Sequence, residues 1–260
     1  MTRSGRVLAS VRAGWHSFLR RRTAVFFTFL FPLLIVVIFG ALVQTQPTGG
    51  GLFTEPAVYY VPGYLAVVVL FTPLSRVGSE VARHREGNRF EKLATTPLTR
   101  GEWLLAQTVV NVVVIGLAAL LLVALVVALT GAAIPPSPVV ALLLVAYVVV
   151  GVALFCGLGA IIGATADSQD GVIATSNTIA LPLLFLSETF VPLDMLPGWF
   201  EPATLLSPLT YFARGVRATT DGGAVPPTGP LAPEIGYLAV LAALALAFVA
   251  AGALALPRTD

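Results

Sequence analysis

No Asp, Glu, Lys or Arg occurs between Trp103 and Ala166, and four further uncharged apolar stretches flank that one. A helix needs about 20 apolar residues to cross the hydrocarbon of a bilayer. This stretch is long enough for two such helices. The solvent that shapes this chain is therefore lipid, and every functional residue has to be read against it.

Composition says the same. Hydrophobic residues make up 57% of the chain and charged residues 11%, against roughly 25% charged in a soluble domain, and the mean hydropathy is +0.91. These values exclude a water-soluble fold. A membrane β-barrel would alternate polar and apolar positions. The run from Leu120 to Val127 is apolar throughout. The expected architecture is an all-α integral membrane protein, a helical bundle.

Six spans are predicted: Thr23 to Val43, Ala57 to Ser75, Leu104 to Thr130, Val139 to Thr165, Val172 to Phe190 and Ile235 to Leu256. Each Leu, Ile, Val or Phe at mid-membrane favours insertion by roughly 0.3 to 0.6 kcal/mol, and none of the six has a charge near its middle. Spans 3 and 4 are parted by Pro135, Pro136 and Pro138. Proline lacks the amide donor and clashes with the preceding turn, so no helix continues through that cluster.

The 15 basic residues orient the bundle. Arg3, Arg6, Arg12, Arg20, Arg21 and Arg22 precede span 1; Arg76, Arg83, Arg85, Arg89, Lys92 and Arg100 lie between spans 2 and 3; Arg258 is near the end. Only Arg214 and Arg217 fall on the other side. Because basic residues are retained on the cytoplasmic side, both termini and the 2/3 loop are expected there, in a multi-pass protein of the plasma membrane. The first apolar stretch is too long for a cleaved leader and further spans follow it.

Residues 1–22 read as a separate interfacial element and residues 23–260 as the six-span transmembrane domain. Val7, Leu8, Val11, Trp15, Phe18 and Leu19 share one arc of about 120° on a helical wheel, with most of the arginines outside it. That pattern describes an amphipathic helix lying among lipid headgroups.

Catalytic chemistry has little to work with. The two histidines, His16 and His84, lie in the segments assigned to the cytoplasm, and Cys156 is the one cysteine, so neither a clustered metal site nor an internal disulfide is expected. Cys156, among Gly151, Gly157, Gly159 and Gly163, reads as a small packing residue. Gly159 and Gly163 have the spacing of closely approaching helices, within the chain or between subunits. A phosphate-binding loop needs a lysine after its glycine turn. Lys92, the sole lysine, follows Arg89-Phe90-Glu91 with no such turn. The chain is expected to hold no cofactor and not to be an enzyme by itself; ATP and Mg, if used, belong to another polypeptide. No nucleic-acid partner is expected.

The cytoplasmic segment 76–103 is the richest in polar residues. Its acids and bases alternate, and Phe90, Leu93 and Leu98 punctuate them, a mixed surface suited to a protein partner. Pro97 ends one helix, and Thr99-Arg100-Gly101-Glu102 has the form of a capping box that opens span 3. A short rigid helix between two spans is predicted here, one that can transmit a push.

Two motifs in this chain resemble a known family. Glu86-Gly87-Asn88-Arg89-Phe90-Glu91-Lys92-Leu93-Ala94-Thr95-Thr96-Pro97-Leu98 is similar to an acidic, glycine-containing segment followed by a leucine-rich turn and Thr-Pro. Phe185 to Phe200, with Ser207-Pro208-Leu209-Thr210-Tyr211, looks like a signature that follows the fifth span. Together they resemble the type 2 ABC transporter permeases, in particular the drug and polysaccharide exporter branch that includes the daunorubicin resistance permeases. The likeness covers essentially the whole chain. It implies a permease subunit that pairs with a second permease, as homodimer or heterodimer, above two separate ATPase subunits. It implies that the helix around Arg83 to Leu93 is the coupling helix, with Arg83, Glu86, Arg89, Phe90 and Glu91 at the ATPase contact. It also implies re-entrant external helices between spans 5 and 6, within residues 191–233, here from Leu196 to Arg217.

Glu188 departs from that pattern, since the family usually carries a small residue there. A carboxylate facing lipid at depth costs up to about 2.5 to 3.5 kcal/mol. Three readings stand: a wetted interface, an ion pair with Arg214 or Arg217, or contact with a cationic substrate. Asn111, Asn177, Phe185 and Glu188 are the candidate substrate-pathway residues, with Ser176 and Thr178 beside them; interhelical hydrogen bonds are the competing role for the polar ones. Asp167 and Asp170 are expected to cap span 5 or to meet the partner. The expected function is ATP-driven export of a hydrophobic or amphipathic, drug- or lipid-like solute. The alternative is an ATP-independent secondary transporter or channel, although such carriers place titratable groups at mid-membrane.

Overall fold

The computed structural model describes residues 2–38, 56–189, 197–220 and 223–257. The end of span 1, Phe190, residues 191–196 of the second motif, and Arg258 lie outside the described residues. Within them the chain forms ten α-helices and one 3-10 turn, with no strand.

Helix α1 (Arg3–Arg20) starts where the Thr2 hydroxyl accepts the Gly5 amide at 3.4 Å. As predicted it is amphipathic. It buries Phe18 and rests Val11 and Trp15 on the core, while Leu8 and Leu19 stay about half exposed. The chain turns at Arg21, whose backbone is not helical, and continues as α2 (Arg22–Val36).

After a 3-10 turn (Ala57–Tyr60), α3 runs from Val61 to Glu86. At 26 residues and 1.5 Å per residue it is about 39 Å long, so residues 76–86, expected in the cytoplasmic loop, extend the second span as helix. The single coupling helix expected around Arg83 to Leu93 is also corrected. Gly87 and Asn88 interrupt it, with Asn88 in the left-handed region at φ 49°, and the six-residue α4 (Arg89–Ala94) follows. Asparagine is among the few non-glycine residues that tolerate that conformation.

Helix α5 (Arg100–Thr130) opens on the predicted capping box, Glu102 N to Thr99 Oγ1 at 3.2 Å and Thr99 N to Glu102 Oε2 at 3.0 Å. It closes on Gly131 at φ 68°, the left-handed residue that commonly ends a helix. The proline cluster is non-helical, and Ser137 caps α6 (Pro138–Thr165). Ser168, rather than Asp167 or Asp170, caps α7 (Gln169–Leu186), its hydroxyl accepting the Gly171 amide. Two short helices, α8 (Glu201–Thr204) and α9 (Pro208–Thr219), precede α10 (Pro233–Ala255).

Helix α6 packs between α3 and α10, and α3 is largely buried. Glycines set both contacts. A Cβ on Gly159 or Gly163 would strike the α3 backbone at Leu74 and Gly78, and one on Gly157 would strike the α10 backbone at Phe248. The small-residue pair therefore packs within the chain. Cys156 is buried beside it, as expected.

Four helical segments are long and apolar enough to cross a membrane: Ala57–Glu86, Arg100–Thr130, Pro138–Thr165 and Pro233–Ala255. They correspond to predicted spans 2, 3, 4 and 6. Helices α2 and α7, the counterparts of spans 1 and 5, are shorter at 15 and 18 residues. The bundle presents large apolar side chains outward, among them Phe26, Leu120, Leu142, Phe185, Leu246 and Leu254. Soluble monomers rarely expose so much contiguous apolar surface, and a bilayer is the solvent that accepts it.

Candidate functional site

The C-terminal end of α3, α4 and the start of α5 form a compact unit at the basic end of the bundle. Its centre is a triangle of rings: His84 to Phe90 at 5.4 Å, His84 to Trp103 at 5.3 Å and Phe90 to Trp103 at 5.4 Å between centroids. Edge-on and tilted geometries like these add to the burial of the rings themselves. His84 Nδ1 lies 2.8 Å from the Glu80 carbonyl oxygen, one helical turn back.

Polar contacts radiate from this unit to other helix ends. Arg85 donates to the carbonyls of Gly163 at 3.2 Å and Ala166 at 2.7 Å, at the C-terminal end of α6. A cation belongs there, since the last carbonyls lack helical partners and carry the negative end of the dipole. Glu86 accepts the Gln169 amide at 3.0 Å and its Nε2 at 2.9 Å, at the N-terminal end of α7; a carboxylate suits that end for the mirror reason. Arg100 donates to the Leu256 carbonyl at 2.8 Å, just past α10. Arg6 of α1 grips Glu102 through Nε at 3.1 Å and Nη2 at 2.6 Å. That hydrogen bond raises the Arg6 pKa above its ordinary value. Glu80 pairs with Arg83 and with Arg21 at 3.7 Å. Residues 80–102 thus touch α1, α6, α7 and the end of α10.

Within this unit the five residues expected at the ATPase contact divide. Arg89 and Glu91 are exposed, and Glu86 is exposed with its carboxylate on Gln169. Arg83 is partly buried on Glu80, and Phe90 is buried in the ring triangle, 8% exposed.

The opposite end holds a second polar cluster. Glu188, 3% exposed, accepts hydrogen bonds from Arg214 Nε at 2.6 Å and from Arg214 Nη2. Of the three readings of Glu188 the structure shows the ion pair. Arg217 Nη2 donates to the Glu188 carbonyl at 2.9 Å, and its guanidinium stacks over Tyr59, 3.9 Å from the ring centroid. Helix α9, which supplies both arginines, is buried against α3, α6, α7 and α10. The Ser207 hydroxyl donates to the Leu183 carbonyl at 2.7 Å, and Tyr147 to that of Glu234 at 2.6 Å. Trp199 and Leu206, by contrast, point outward.

The four pathway candidates do not converge. Asn111 is buried in α5, donating to the Gln107 carbonyl at 2.8 Å with its Oδ1 unpartnered. Asn177 and Phe185 lie exposed on α7 in line with Ile173 and Leu181. Glu188 is turned inward to α9. Sequence reasoning missed the roles of Glu80, Arg85, Arg100 and Glu102 as ties between helices. Only the Glu80, Arg83, His84 spacing announced a helical pairing; the other contacts join residues 59 to 156 positions apart. Among the described residues no group of three His, Cys, Asp or Glu is placed to hold a metal ion.

Residues 6–220 match the family described as ABC-2 type transporter. The chain is 28% identical over 201 residues, 76% of its length and 68% of the relative, to a protein of Cyanophora paradoxa named as a transport permease, ycf38. It is 26% identical over 190 residues to the Porphyra purpurea protein of the same name, covering 72% of the chain and 64% of the relative. A third relative, from Escherichia coli K12 and named as a multidrug ABC transporter permease, YbhR, is 23% identical over 154 residues. That alignment takes in 59% of the chain and spans less than half of YbhR, 41%. With the match running from α1 through α9 over an all-helical apolar bundle, the chain belongs to the ABC-2 type transporter family and is a membrane subunit of an ABC transporter.

Proposed function

We propose that this permease converts ATP hydrolysis on a separate ATPase subunit into outward passage of a hydrophobic or amphipathic, drug- or lipid-like solute. The supporting observation is the tie pattern at the basic end. Exposed Arg89 and Glu91 on α4 are carried by a unit whose other residues hold the ends of α6, α7 and α10 and the flank of α1. A displacement of α4 therefore reaches four helices through hydrogen bonds and ring contacts rather than through a loose loop.

In this reading Arg83, Glu86, Arg89, Phe90 and Glu91 make up the coupling element. Arg89, Glu91 and Glu86 face the ATPase, while Phe90 fixes α4 to the bundle through His84 and Trp103 and Arg83 stands on α3 beside Glu80. The basic end faces the cytoplasm, both termini with it, α2 and α7 complete six spans, and α1 lies along the inner headgroups. Helices α8 and α9 form the re-entrant external segment. Two copies, or one copy and a sibling, enclose the route. The exposed α7 line of Ile173, Asn177, Leu181 and Phe185 is the wall this chain offers to it, with Asn111 and Glu188 as supports behind. ATP and Mg sit on the partner, and the complex works in the plasma membrane. Name likeness to multidrug permeases favours efflux; the uncharged spans favour a lipid-like cargo.

Reconstitution with a candidate ABC ATPase tests this. Glu86→Arg or Glu91→Arg is expected to abolish solute-stimulated ATP hydrolysis while the ATPase alone keeps its basal rate. Unchanged stimulation in both variants removes the coupling assignment, and uphill transport by the purified chain under a pH gradient alone removes the proposed mechanism.

A further inference from the structure

Where α1, α3 and α5 meet, Arg76 is held in an unusual setting. Its Nη1 is buried with no hydrogen-bond partner, and its guanidinium lies over the Phe18 ring, 4.4 Å from the centroid. A buried guanidinium nitrogen without an acceptor is costly. It borders a cavity of about 60 Å³ lined also by Ser17, Arg21, Glu80 and Gln107. That volume is about twice a water's share of the liquid, enough for a small anionic group and too little for a whole headgroup. Outside it, sharing Ser17 and Arg21, an open cleft of about 590 Å³ adds His16 and Arg20.

Charge is unbalanced here. Glu80 is the one carboxylate in the cavity lining, and it is already engaged by Arg83, by Arg21 at 3.7 Å and by His84 at 3.5 Å. Arg21, Arg76 and Arg83 against one Glu80 leave two positive charges in excess. Arg76 lies ten residues before the end of α3, about 15 Å along the helix, a depth from which long basic side chains extend to the interface in membranes. Close to Arg21 in the chain, Leu19 at the end of α1 and Phe26 and Phe27 on α2 are each about half exposed.

We propose that this pocket binds the phosphate of an anionic phospholipid, with Arg76 and Arg21 as its charged ligands, Gln107 and Ser17 as polar lining, and the acyl chains running over the exposed side chains of α1 and α2. The inference rests on the bilayer reading and not on the transport mechanism. Phosphate is the chemistry that suits two convergent guanidinium groups. The exposed apolar side chains that flank Arg21 on α1 and α2 favour a lipid as its carrier over a free anion. Such a lipid pins the α1–α2 junction to α3 and α5.

Native mass spectrometry of the full chain, loaded from equal amounts of phosphatidylglycerol and phosphatidylcholine, reads this out. The wild type is expected to retain phosphatidylglycerol preferentially. Arg76→Gln lowers that preference about fivefold, the effect of one basic residue at an anionic surface, and so does Gln107→Glu, which sets a carboxylate in the cavity and keeps the test alive if Arg76→Gln does not fold. Arg12→Gln, an equal loss of charge on α1 away from the pocket, leaves the preference intact. Equal retention of both lipids by the wild type, or a loss in Arg12→Gln matching that in Arg76→Gln, overturns the proposal. Inorganic phosphate raising the Tm of the lipid-free protein as much as phosphatidylglycerol does would overturn the lipid as occupant.

Discussion

The two ends of this bundle solve the problem of polar groups in opposite ways. At the basic end, arginines and glutamates are spread over helix termini, each meeting unpaired carbonyls or amides of another helix, and most keep contact with the surface. At the far end a single carboxylate and two arginines are enclosed, Glu188, Arg214 and Arg217 being between 2% and 4% exposed. The first arrangement distributes many weak ties and tolerates the loss of one. The second concentrates its cost in one pair, because removing either partner leaves a buried charge without the group it bonds.

That contrast sets an order of expected effects. The largest belongs to the enclosed pair: Glu188→Ala or Arg214→Ala alone is expected to destabilise the protein by about 3 to 5 kcal/mol, whereas the joint replacement Glu188→Gln with Arg214→Met recovers most of the loss. Thermal unfolding of the three variants in one detergent checks this; single losses under about 1 kcal/mol, the range of exposed pairs, would show the cluster to be wetted and dissolve the contrast.

Next comes the seam that joins the two ends. Gly163→Ala forces a Cβ into the Gly78 carbonyl of α3, and overpacking of this kind costs about 1 to 3 kcal/mol; Gly116→Ala, where nothing lies within 4 Å, is the control expected to be near neutral. A melting curve shared by both variants would mean that α3 and α6 do not approach so closely.

Smaller again is the cap. Thr99→Ala removes the hydroxyl that accepts the Glu102 amide, at a cost of about 1 kcal/mol, and Thr99→Ser should restore it. Smallest is Arg6→Gln, which releases α1 from Glu102. Its effect on Tm is expected to be slight and to fade in high salt, as screened surface pairs do, while hydrogen exchange in α1 quickens. An effect that persists at high salt would place the Arg6 contact with the enclosed kind.

Much of the fold was legible in the order of residues. The uncharged run, the proline cluster and the Thr99–Glu102 box predicted α5, α6 and the break between them, since each rests on local chemistry. The α1 arc was legible for the same reason. Residues 76–86 were not: their charges suggested a loop, yet Val77, Gly78, Val81 and Ala82 are buried and carry α3 onward, while Arg76, Glu80, His84 and Arg85 are half-buried against neighbouring groups. The candidate site was half legible. Residue types at 83–91 suggested the partner surface proposed above, but which of them turn outward depended on the αL step at Asn88, which rotates Phe90 onto Trp103.

What the chain's order of residues determined by itself was the solvent, the helices and the imbalance of charge between the two ends, because hydrophobicity, capping and proline act within a few residues. Pairing was settled by the packed bundle. Glu188 chose Arg214 over water, Gly159 and Gly163 chose α3 over a second subunit, and Arg85, Glu86 and Arg100 each found the end of a distant helix. Those choices depend on which surfaces the packed bundle leaves unpaired, a quantity no local stretch of sequence contains.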